Sequence, residues 1–155
     1  MLFELITPEK VVFKQEIDQV TLPTMDGEIT ILPNHIALVA QLVPGVAVLK
    51  AGETSEDVAV SGGFIQVDGK GGIRVLADTA ERGEHLNLDD IEAAKKRAEE
   101  VMKSMVRTDD QSFARAAAEL EREMARYKVA LKYKSDKGHK TRIADKELTD
   151  EAGTV

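Results

Sequence analysis

All four prolines and nine of the eleven glycines in this 155-residue chain fall before residue 84. Proline cannot donate to a hydrogen-bonded ladder, and glycine opens backbone conformations that other residues avoid, so both punctuate turns and strand ends. The first part of the chain must therefore be rich in turns, while the last part is free to form long helices. Charge divides at the same place. Residues 1–87 carry 6 Lys/Arg against 13 Asp/Glu, whereas residues 88–155 carry 15 against 15.

Between the turn residues of the first part stand short apolar segments, among them Leu2–Ile6, Val11–Phe13, Val20–Leu22, Ile29–Leu32, Ala37–Leu42, Val46–Leu49, Val58–Val60, Phe64–Val67 and Ile73–Leu76. Regular short strands with this punctuation predict a sandwich or barrel. Alternation at Val58/Val60 and Ile73/Val75 predicts one buried face and one wet face. The string Gly69-Lys70-Gly71-Gly72 lacks the spacing of a phosphate loop and no helix follows it, so it is expected to be a hairpin turn.

Several chemistries are excluded or disfavoured. An acidic β part argues against nucleic acid, which needs clustered cations. The absence of cysteine rules out disulfides and thiol chemistry and fits a reducing compartment. No apolar run approaches the roughly 18–20 residues needed to span a bilayer, and the N-terminus has no signal-peptide pattern. Membrane association is thus expected only through partners. His35, His85 and His139 are far apart in sequence, which disfavours a shared metal site. His35, beside the expected Pro33-Asn34 turn, is either a surface or a contact histidine.

Two helices are expected after the β part. Asn87 is placed to cap the first, in which Leu88, Ile91, Ala94, Ala98, Val101 or Met102, and Met105 form one apolar stripe running to about Arg107. Thr108-Asp109-Asp110-Gln111 has the capping-box pattern that starts a second helix. There Phe113, Ala117, Leu120, Met124, Tyr127 and Leu131 alternate spacings of four and three, predicting an a/d seam packed against the first helix. The expected architecture is α+β, with an N-terminal β-sandwich over 1–87, an antiparallel two-helix hairpin over 88–133, and a polar, disordered tail over 134–155. A hairpin with a mostly charged outer face makes modest contact with the sandwich, so relative motion is expected.

Three strings carry a resemblance: Gly27 through Gly45, Ser61-Gly62-Gly63-Phe64, and Leu76-Ala77-Asp78-Thr79-Ala80-Glu81-Arg82. In order and spacing, and followed by a helical hairpin, they resemble the epsilon subunit of bacterial rotary F-type ATP synthases, called delta in mitochondria. The resemblance covers residues 1–133. It implies a ten-stranded sandwich at the foot of the central stalk, in contact with the gamma subunit and the c-ring. It implies a hairpin that either folds on the sandwich or extends along gamma towards the alpha/beta catalytic subunits and blocks ATP hydrolysis. The implied protein is non-catalytic, needs no cofactor, and sits peripherally on the cytoplasmic face of the bacterial membrane.

By matching positions, Glu28 lies near the c-ring and His35 near gamma. Arg115, Arg122 and Arg126 are implied contacts of the extended hairpin. Some family members bind ATP through an Asp-x-x-Arg motif and two second-helix arginines. Asp89, Arg122 and Arg126 match three of those positions, but Glu92 stands where the motif has arginine. A carboxylate there repels a nucleotide, which argues against ATP binding. The competing reading is a free-standing ligand-binding β-sandwich with a helical dimerisation hairpin. An enzyme is unsupported, since no nucleophile elbow or metal-binding histidine pair occurs.

Overall fold

The computed structural model describes the backbone of residues 1–104 and 110–151, and side-chain surroundings for residues 1–104 and 111–136. Ten strands come first: β1 Leu2–Ile6, β2 Val11–Glu16, β3 Gln19–Thr24, β4 Gly27–Ile31, β5 Leu38–Leu42, β6 Gly45–Ala51, β7 Thr54–Val60, β8 Gly63–Val67, β9 Gly72–Ala77 and β10 Ala80–Arg82. A 3-10 turn over Gly83–His85 leads into α1, Leu88–Ser104, and α2, Asp110–Glu151. The ten-stranded sheet followed by two helices is the architecture expected from the sequence.

Neighbouring strands run in the order β10-β7-β6-β3-β5-β8-β9-β1-β2, with β4 paired to β3 off that path. Every pairing is antiparallel except β1 with β9. The turn is made at β3, which meets β6 through Gln19–Thr21 and touches β5 through Thr24 alone. The sheet thereby folds over on itself around one core. Phe3, Leu5, Val20, Leu22, Ile31, Ile65 and Val75 are all fully buried there.

Strict alternation sets which residues enter the core. On β8, Ile65 and Val67 are buried while Phe64 and Gln66 face out; on β9, Ile73, Val75 and Ala77 are buried while Arg74 and Leu76 face out. β7 starts at Thr54 rather than Val58, because its polar first half pairs in register with Val48–Ala51 of β6. β10 has no apolar signature and exists through its pairing with Val58–Val60.

The glycine-rich string 69–72 is the β8–β9 hairpin turn. The Asp68 carboxylate accepts hydrogen bonds from Lys70 N at 2.7 Å and Gly72 N at 2.9 Å. These two backbone donors hold its carboxyl below the usual aspartate range. A folded-state value below the unfolded one means that Asp68 stabilises the fold above the ordinary aspartate range, and that this contribution is lost as pH falls through the folded value. Asp68→Ala should therefore lower the melting temperature at neutral pH, with the gap to the parent narrowing once pH drops below about 4. A pH-independent gap in thermal scans would refute this.

The Asn87 side chain caps α1 as expected, with Oδ1 accepting from Asp89 N at 3.0 Å. Ile91 and Ala98 are buried on α1, with Leu88, Ala94 and Met102 half-buried on the same stripe. Met102 fills the position that Val101, 42% exposed, does not. Met105, Arg107 and the Thr108-Asp109 start of the capping box lie outside the described residues.

The expected seam of α2 is corrected in part, since Ala117, Leu120 and Tyr127 are half-buried. Phe113, Met124 and Leu131 are each at least 40% exposed, and the buried residues are Ala116, Glu123, Ala125, Val129 and Ala130. The seam is rotated back by about one residue, because α2 packs on two neighbours at once, α1 and the β6–β7 sheet. Ala116 and Tyr127 face α1, where Lys95 Nζ lies 5.4 Å from the Tyr127 ring centre. Val129 and Tyr133 face the sheet. The backbone of α2 stays helical to Glu151, past residue 133, where the sequence predicts the hairpin to end in a disordered tail. The side chains of residues 137–155 lie outside those described.

Candidate functional site

The Pro33-Asn34 turn has a specific geometry. Asn34 takes a positive φ of 67°, and His35 N donates to Leu32 O at 3.1 Å. Proline at the second position and asparagine tolerating positive φ at the third make a type II turn. His35 is half-buried beside it, with Nδ1 2.9 Å from Ile36 O. Glu28 is exposed and pairs across to Pro23 near the start of β4. Glu28 and His35 thus occupy opposite ends of β4, separated by about 10 Å of strand plus the turn.

An apolar surface accompanies these two ends. Met25 (69% exposed) sits in the hairpin before Glu28, and Ile36 (78%) follows His35. Val39, Phe64 and Leu76 lie on the outward phase of β5, β8 and β9 and are 72%, 59% and 48% exposed. Phe64 pairs directly with Leu76 across β8–β9 and with Gln41 across β8–β5. Large apolar side chains grouped on a rigid outer sheet face mark a surface that another protein covers. The sequence signal was available for three of them: Val39, Phe64 and Leu76 are apolar residues in the phase where their strands should be polar.

The remaining candidates lie on the hairpin. Arg115 is exposed. Arg122 Nη2 is 3.2 Å from Glu119 and 3.4 Å from Glu123. Arg126 bridges Glu123 of its own helix at 2.8 Å and Glu81 of β10 at 3.0 Å. Further along α2, Lys132 Nζ meets Asp57 of β7 at 2.6 Å. Glu81, Asp57 and buried Glu123 were not expected from the sequence, where a glutamate on a charged helix reads as solvated. Asp89 is exposed and lines a cleft of about 420 Å³ with Asn87, Ala130, Tyr133 and Lys134. The structure does not assemble Asp89, Arg122 and Arg126 into one anion pocket. The arginines face carboxylates instead, and Ala130 lies about 6 Å further along the helix than Arg126.

Among the described residues no helix is long and apolar enough to cross a membrane. Two family models cover most of the chain: the ATP synthase delta/epsilon chain β-sandwich domain over residues 1–83 and the delta/epsilon chain long α-helix domain over 84–130. An ATP synthase epsilon chain of Chromobacterium violaceum is 40% identical over 141 residues, spanning 90% of this chain and 98% of that protein. One from Nitratidesulfovibrio vulgaris is 39% identical over 127 residues, spanning 81% and 92%. A chain of the Euglena gracilis mitochondrial ATP synthase OSCP/F1/c-ring structure superposes with a TM-score of 0.71 at 24% identity, covering 81% of this chain and 78% of that one. A chain of the Tetrahymena thermophila central stalk/c-ring structure does so at 0.57 and 16%, covering 85% and 94%. At those identities the structural likeness speaks for the fold.

Proposed function

The chain belongs to the ATP synthase delta/epsilon chain family, and from that membership we propose that its sandwich docks on the gamma subunit and c-ring while its hairpin restrains ATP hydrolysis. It acts as a non-catalytic epsilon subunit of the rotary F-type ATP synthase. The observation that carries the docking half is the exposed apolar strip Val39, Phe64 and Leu76 on the rigid outer sheet face. The Glu28 end reaches the c-ring and the His35 end adjoins gamma. On this reading the subunit sits on the cytoplasmic face of the membrane, held there by its partners.

The regulatory half rests on the way α2 is joined to the sheet. Two ion pairs, Arg126 with Glu81 and Lys132 with Asp57, span the junction beside Val129 and Tyr133. Arg115, and Arg122 and Arg126 once freed, would then face acidic groups of the alpha/beta subunits. With both second-helix arginines engaged by carboxylates and Glu92 exposed on α1, ATP has no prepared site in the docked hairpin.

Docking is tested by capture of gamma from native membranes on the tagged full chain. Phe64→Asp buries a charge at the centre of the proposed contact and should weaken gamma binding by at least ~10-fold, as expected for a central aromatic anchor. Glu28→Lys and His35→Asp should each weaken assembly by less. All three are surface changes, so folding stability should move by about 0.5 kcal/mol or less. Parental affinity in all three variants would remove the assignment.

A further inference from the structure

We propose that Glu81, Arg126 and Glu123 form an ionic latch that sets how often the hairpin leaves the sandwich. The proposal rests on the reading that the hairpin detaches, and it names a contact that must break when it does. Glu81 lies on β10, upstream of the Gly83–Asn87 connection, and Arg126 lies on α2, downstream of it. Their contact closes the chain across that connection. Arg126 Nη2 donates to Glu81 Oε2 at 3.1 Å.

Glu123 is the only buried charged residue among those described, at 1% exposure. Arg126 Nη1 donates to both of its oxygens, at 3.0 and 2.8 Å. With one edge of the guanidinium held by Glu123, the other edge is turned to the strand. Glu123 is thus a positioning residue, and Glu81 is the strike plate.

The joint is also incomplete. Arg126 Nε stands 3.0 Å from Glu81 Oε1 but makes no hydrogen bond, and Arg122 Nε is likewise buried without one. Glu123 is buried, but Arg126 and Glu81 keep 25% and 34% of their side chains exposed, so the contact across the joint is half-solvated and gains little over its separated halves. Such a contact is near balance between the docked and separated states, which is what a reversible latch requires. A purely apolar joint would expose greasy surface every time it opened.

The test uses the full chain, whose lack of cysteine lets thiols at Glu53→Cys and Ser135→Cys carry a distance-reporting label pair. The separated-to-docked ratio is read from the distance distribution. Glu81→Gln should raise it about threefold, the worth of a part-exposed pair, and Arg126→Gln more, since it also strips Glu123 of a partner. The double variant should exceed Arg126→Gln by less than about twofold, because the Glu81 contact is already broken there. Glu123→Gln should raise the ratio in the parent but not in the Glu81→Gln background. Effects that multiply, or single variants within about twofold of the parent, would overturn the latch. If Arg126→Gln loses its sheet signal by circular dichroism, the Glu81→Gln and Glu123→Gln pair decides alone. A hairpin that never separates in any variant overturns the detachment reading itself. One that separates without coupling overturns only the latch.

Discussion

Gly63→Ala should unfold or severely destabilise the sandwich, by about 3 kcal/mol or more, as expected when a clash falls on backbone that cannot yield. Gly63 begins β8 at a φ of 156°, opposite Ala77 on one side and Leu42 on the other. A methyl group there is driven into the carbonyl oxygen of Leu76, with Ala77 Cα also within 3.0 Å. Neither atom is the end of a flexible side chain. Both belong to β9, which also pairs with β1, so movement at Leu76 propagates into the Phe3–Leu5 core. Gly71→Ala is the control: its φ of 99° is strained for alanine, but no atom lies within 4 Å of the added methyl. Urea melts should show a far larger loss at 63 than at 71. Similar midpoints would show that the close approach of β8 to β9 is not what this glycine serves.

The strands were readable because the sandwich obeys a local rule. Alternation places Ile65 and Val75 inside without reference to anything distant. The same rule flags Phe64 and Leu76 as apolar residues on the wrong phase, which a census of apolar segments hides by counting them as strand formers. β10 was unreadable for the opposite reason: Ala-Glu-Arg forms a strand only because Val58–Val60 offers an edge.

The helical seam shows where periodicity stops. The spacing from Phe113 to Leu131 is a faithful heptad, yet the docked helix turns Phe113, Met124 and Leu131 outward while Ala117, Leu120 and Tyr127 stay half-buried. Ala116, Ala125 and Ala130 let α2 approach two surfaces closely, and that close packing outweighs burial of Phe113, Met124 and Leu131. Glu123 is buried for the same reason. A glutamate enters a junction only when cations from its own helix accompany it, and Arg122 and Arg126 are recognisable as such partners only once the face is known.

Gly83→Ala should act as a wedge under the hairpin, with an effect opposite to removing the hairpin. A Cβ at Gly83 falls 2.8 Å from Tyr133 Cβ and 3.0 Å from its Cγ. Those atoms are next to the α2 backbone, so the helix itself must shift. Gly83 is not in the positive-φ region, and alanine adds no backbone strain there, so the sandwich should melt as before. On the proposed reading, a hairpin pushed off the sheet spends more time extended towards the catalytic subunits of the assembled complex. ATP hydrolysis should then fall. Deleting residues 88–155 removes the proposed inhibitory element altogether, and hydrolysis should rise while coupling persists. The deletion leaves the ten strands and the Glu28 and His35 ends in place, so assembly should survive, and circular dichroism of the 1–87 fragment should retain a β signal. Hydrolysis rates measured side by side on the same membranes decide the matter. Two changes moving hydrolysis in the same direction would mean that release of α2 from Gly83 is not the step by which this subunit restrains the motor.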